Sequence, residues 1–136
     1  MTLTKIIFPL FSIFISVMIL DYIWLGIVTK NFIIKQFGSL IKVNNGGIQF
    51  NLVAGIIAWF IIALGCFIFA VYPSDTLTKT LILGAAFGFI SYAIYDLTNL
   101  SFITNYPLKF VFVDIAWGTF LCTTISAVGY YIKNLI

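Results

Sequence analysis

Three carboxylates lie inside apolar sequence, and they are the side chains of this chain best suited to chemistry. Asp21 falls within the run Ile6–Val28, Asp96 near the end of a run that starts at Leu81, and Asp114 early in a run from Leu108 to Ile132. An acid in such surroundings is costly unless it is protonated, paired or hydrogen-bonded. On a helix, Tyr92, Asp96 and Asn99 share one face, which carries Gly84, Ala85 and Gly88 toward its other end. Asp21-x-x-Trp24 and Asp114-x-x-Trp117 repeat one spacing, so each indole N–H is expected beside its neighbouring carboxylate. Like charges crowded in a low dielectric cannot all ionise cheaply, so at least one of the three acids is expected to keep its proton. The chemistry this suggests is binding of a proton, a cation or a small cationic ligand. The plainer alternative is that protonated acids bonded to Trp, Tyr and Asn pin helices together.

The elements that must hold these residues follow from the apolar runs. Each run is long enough to cross a bilayer as a helix. The expected fold is an all-α integral membrane bundle of four transmembrane helices, one domain over residues 1–136, with helices near 6–28, 50–71, 77–100 and 108–132. Pro9 is expected in the first turn of the first helix, and Tyr72-Pro73 ends the second. Ser74 or Asp75 can cap the third, and Pro107 suits the start of the fourth. In the long connection, Ile33, Phe37, Leu40 and Ile41 share one helical face and Lys35, Ser39 and Lys42 the other. That pattern suits a short interfacial helix within 31–43, a solvated loop being the alternative. Asn44-Asn45-Gly46-Gly47 then reads as a turn.

A duplication is legible in the same runs. Laying residues 14–29 over 89–104 gives the identities Phe14/Phe89, Ile15/Ile90, Ser16/Ser91, Ile19/Ile94, Asp21/Asp96, Leu25/Leu100 and Thr29/Thr104. Asn51-x-x-x-Gly55 and Asp114-x-x-x-Gly118 echo each other more faintly. Two copies of one helical hairpin are expected, with a pseudo-twofold axis along the membrane normal. Four antiparallel spans then bring Asp21, Asn51, Asp96, Asn99 and Asp114 into one leaflet, at most about 12 Å below one face. The expected site is a pocket of these five residues with Tyr92, Trp24 and Trp117, open toward the connections 31–49 and 101–108. Trp59 reads as packing or lipid contact, and Gly84-x-x-x-Gly88 as packing within the chain.

Composition supports the membrane class. Of the 136 residues 62% are hydrophobic and 8% charged, and the mean hydropathy is +1.17; a soluble domain averages roughly 25% charged residues. Every basic residue is Lys and every acid Asp, so the net charge of +3 gives no nucleic-acid footprint. Four lysines (Lys30, Lys35, Lys42, Lys109) lie on one face and three (Lys5, Lys79, Lys133) on the other, which does not decide orientation. Cys66 and Cys122 fall inside apolar runs, where buried free thiols are expected. The first run is longer than a signal-peptide core and contains Asp21, so it reads as a retained helix.

The motifs Leu20-Asp21-Tyr22-Ile23-Trp24-Leu25-Gly26, Gly84-Ala85-Ala86-Phe87-Gly88, Tyr92 to Leu100 and Asp114-Ile115-Ala116-Trp117-Gly118-Thr119 resemble the membrane proteins called domain of unknown function 2177. The likeness runs over essentially the whole chain and includes Phe37-Gly38-Ser39-Leu40. Tyr106-Pro107 stands where the family pattern leads us to expect Trp-Pro, and Lys where relatives often carry Arg. The resemblance implies the fold and no activity. Three readings of function remain. A small binding protein or transporter would exchange a proton for a cation or cationic ligand at the Asp set, and as a four-helix chain it would be expected to work as a homodimer. An intramembrane enzyme or accessory factor would act on a membrane lipid, with segment 31–43 as a lid. A non-catalytic assembly subunit would use the Asp residues structurally. Without His, a Ser–base pair or a phosphate- or metal-binding motif, no catalytic residue, metal or cofactor is expected.

Overall fold

The computed structural model describes residues 2–136. Its helices are α1 (Thr4–Ile23), continued by a π-turn over Trp24–Val28, α2 (Lys30–Phe37), α3 (Leu52–Cys66), continued by a π-turn over Phe67–Val71, α4 (Leu77–Phe102) and α5 (Leu108–Leu135). Four of these segments are long and apolar enough to span a membrane: Thr4–Val28, Leu52–Val71, Leu77–Phe102 and Leu108–Leu135. The short α2 is the extra helix of the first connection. Gly38 ends it with φ +53°, a left-handed backbone that favours glycine.

Several local expectations need correction. The Asn-Gly turn closes a small antiparallel hairpin, β1 (Val43–Asn44) and β2 (Gly47–Ile48), where no strand was expected. Asn45 (φ 48°) and Gly46 (φ 72°) both have positive φ, the backbone that a tight two-residue hairpin turn demands and that Asn-Gly supplies. Thr76, rather than Ser74 or Asp75, caps α4: its hydroxyl accepts from the Lys79 N–H at 3.2 Å. Ser74 instead donates to the Ala70 carbonyl at 2.6 Å. Pro9 lies beyond the first turn, because α1 already starts at Thr4.

The helices form a ring in which α5 and α3 stand between α1 and α4. Helix α4 packs most extensively on α5 and also meets the π-turn that ends α3, while α1 packs on α5 and α3. The closest seam is α4 on α5. A Cβ on Gly84 would come within 2.8 Å of the Ser126 hydroxyl and 2.9 Å of the Cys122 carbonyl, and one on Gly88 would collide with the Gly118 carbonyl. The small-residue stripe is thus used inside the chain. Ile13, Val17, Ala63, Phe67, Leu121 and Ile125 belong to the buried core. Cys66 and Cys122 are free thiols in that core, with their side chains in contact. Phe8, Phe11, Ile61, Ile82, Phe112 and Phe120 face outward, as a lipid-contacting belt requires. At the terminal end, Lys133 Nζ donates to the carbonyls of Val71 (2.7 Å) and Ser74 (2.6 Å), tying α5 to the α3–α4 turn.

Candidate functional site

The three intramembrane acids are all buried: Asp96 is 0% exposed, Asp21 5% and Asp114 8%. They fall into two arrangements.

The first is centred on Asp21 of α1. Its Oδ2 accepts from Trp59 Nε1 of α3 and its Oδ1 from Trp117 Nε1 of α5, both at 2.8 Å. One carboxylate therefore ties three helices. Indole N–H groups only donate, so both oxygens of Asp21 act as acceptors here. Trp59 packs against the core as its position suggests, and this bond gives it a further role that packing alone does not include. The expected pairings by i, i+3 spacing are replaced as well: Trp117 bonds Asp21 across the bundle rather than Asp114. Trp24 does not bond Asp21 but stacks on Trp117, with ring centroids 4.2 Å apart and planes 2° from parallel. Trp24 begins the π-turn, whose end is closed by Thr29: its N–H (2.8 Å) and its hydroxyl (2.7 Å) both donate to the Trp24 carbonyl. Such wide turns recur at functional positions in helices.

The second arrangement joins α4, α5 and the connection between them. Asp96 Oδ1 accepts from the Tyr106 hydroxyl at 2.9 Å. Asp96 Oδ2 is buried and has no donor, and the Asp114 carboxyl lies within hydrogen-bonding reach of Asp96. Two carboxyl groups so placed are satisfied by one proton held between them. Tyr106 sits in the connection before α5 with its ring edge-on to Phe37 of α2 (5.6 Å) and to Phe110 (6.3 Å). Burial, then the bond to Asp96, holds its phenol above the ordinary tyrosine range, so it remains a donor. Asn99 lies beside the same hydroxyl. Sequence reasoning did not single out Tyr106 as a site residue; its one signal was the Tyr-Pro that replaces Trp-Pro, an exchange of one hydrogen-bond donor for another.

The remaining candidates take different places. Tyr92 packs its ring on Gly118, where a Cβ would collide with it, and lies within electrostatic range of both Asp21 and Asp114. Asn51 stands apart at the exposed start of α3, where its side chain accepts from the Ala54 N–H at 3.1 Å as a helix cap. Tyr106 and Asn99 also line a cavity of about 600 Å³ beneath α2 and the hairpin. The tyrosine is therefore a wall shared by this cavity and the carboxyl pair.

Four apolar spans around buried acids define a multi-pass α-helical membrane protein. The chain belongs to the family described as predicted membrane protein (DUF2177), which matches residues 6–131. No curated protein and no solved structure matches it.

Proposed function

We propose that this protein binds and releases a proton at the Asp96–Asp114 pair, exchanging it for a cation or small cationic ligand. The observation that carries this reading is the Asp96 Oδ2 atom, which is buried beside a second carboxyl and has no donor of its own. A proton satisfies that atom when present, and a cation is its natural substitute when the proton leaves. Asp21 supplies the contrast. Both of its oxygens already hold donors, so it has no need of a ligand. Tyr106 closes one side of the pair by donating to Asp96. The alternation of α1 and α4 around the ring supports the duplicated-hairpin reading, since a twofold axis along the bundle would exchange those two helices.

Infrared spectroscopy of the purified protein tests the reading. The unmutated protein should show the carbonyl stretch of a protonated carboxyl at neutral pH. That band should vanish in both Asp96→Asn and Asp114→Asn and survive in Asp21→Asn. Titrating monovalent cations and alkylamines should release the proton wherever the pair is intact, in the unmutated protein and in Asp21→Asn. If all acids absorb as ionised carboxylates, or no cation displaces the band, the proposal fails.

A further inference from the structure

The cavity beneath α2 points to a second ligand of different chemistry. It is bounded by α2, β2 and the loop-facing ends of α1, α4 and α5, with Leu25, Ile33, Leu40 and Ile103 among its apolar walls and no charged residue lining it. At about 600 Å³ it falls within the size range of small-molecule sites. Water gains little in an apolar hole, whereas a hydrocarbon chain gains contact along its whole length. The segments around the cavity are basic. Lys42 follows lining residue Ile41, Lys109 precedes lining residue Phe110, and Lys30 lies one turn before Ile33. Neither residues 29–51 nor residues 103–109 contain an acid. The opposite face differs: it carries Asp75, and Lys79 and Lys133 there donate to backbone carbonyls.

We propose that this cavity takes one acyl chain of an anionic phospholipid from the surrounding leaflet, with the phosphate on the lysines at its rim. A cationic amphiphile would meet like charge there, and a neutral lipid would leave the lysines without a counter-charge. At the inner end Asn99 and Tyr106 present polar groups that limit how deep the chain runs. The cavity meets the proton site only at Tyr106 and Asn99, and Asp114 does not line it: Asp114→Asn should abolish the protonated-carboxyl band and leave lipid binding intact.

Native mass spectrometry of the purified protein with phosphatidylglycerol, phosphatidylcholine of the same chains, or oleate tests the proposal. One phosphatidylglycerol should be retained about tenfold more tightly than phosphatidylcholine, and Lys42→Gln with Lys109→Gln should erase about that preference. Leu40→Trp, at an exposed lining position, should block the chain and lose the adduct. A photoactivatable acyl chain on phosphatidylglycerol should crosslink the unmutated protein at Ile33, Leu40 or Ile103, a readout independent of how the variants fold. Equal retention of phosphatidylcholine, tighter retention of oleate, or crosslinks confined to the outward face of the spans would each overturn the proposal.

Discussion

Asp21 and Asp96 are both buried acids inside apolar spans, yet their surroundings are opposite in kind. Asp21 has an N–H donor on each oxygen, each from a different helix. Asp96 has one donor, a tyrosine from a connection, and its second oxygen faces another acid. The same side chain is thus fully bonded in one place and left with an unpartnered oxygen in the other. Burial alone does not separate the two; the balance of donors and acceptors does.

If Asp21 is a tie, its removal should be the most damaging single change to the folded state. Asp21→Ala strands two indole N–H groups and opens a three-helix junction. Stranding a buried donor costs about 1–3 kcal/mol, less inside membranes, so losing both should cost about 3 kcal/mol. Thermal or denaturant unfolding in detergent would measure it. An effect near zero would remove the contrast between the two acids.

Tyr106→Phe comes next. The ring stays packed on Phe37 and Phe110, and only the hydroxyl on Asp96 is lost, which should cost about 1 kcal/mol. Tyr106→Trp should recover part of this, if the indole N–H can reach the same oxygen. Unfolding midpoints of the two variants, compared side by side, would show whether a donor at this position is what matters.

A smaller loss of stability is expected at Asn51, which bonds none of the acids. Asn51→Ala removes the cap of α3 at an exposed helix start and should cost about 0.5 kcal/mol. It should leave the protonated-carboxyl band unchanged. A shift in that band would bring Asn51 back into the site.

These contrasts also mark what the sequence could reveal. Four apolar runs specify four spans because length and hydropathy are nearly sufficient in a bilayer. The amphipathic spacing of the first connection was visible too, and α2 lies there. Antiparallel topology is enough to bring Asp21, Asp96 and Asp114 to one end of the bundle. Spacing along a helix, however, describes neighbours on that helix only. The bonds from Trp59 and Trp117 to Asp21 cross helices, so the i, i+3 pairs drew the indoles to the wrong acids. The π-turn at Trp24 has no residue signature, because it depends on the Thr29 N–H reaching back one residue further than in an α-helix. Tyr106 was missed because it lies outside the apolar runs, in a connection whose path only the folded chain defines.

The comparison can be broken most directly at Asp114, where the expected change in stability is smallest of all. Asn replaces a carboxyl with an amide of nearly the same shape, and its NH₂ can donate to Asp96 Oδ2. That bond does for the buried oxygen what a shared proton does, and it removes the repulsion between two acids. Asp114→Asn should therefore leave the unfolding midpoint within about 0.5 kcal/mol of the unmutated protein, or raise it slightly, since replacing a poorly satisfied buried polar pair by a satisfied one is neutral or favourable. A structural tie behaves otherwise, because both oxygens of Asp21 are used as acceptors and an amide would keep only one of them. If Asp114→Asn proves as damaging as Asp21→Ala, both acid clusters are ties of the same kind, and the pair loses its claim to be an exchange site. If it is silent in stability while the protonated-carboxyl band disappears, the two halves have been separated by chemistry rather than by position.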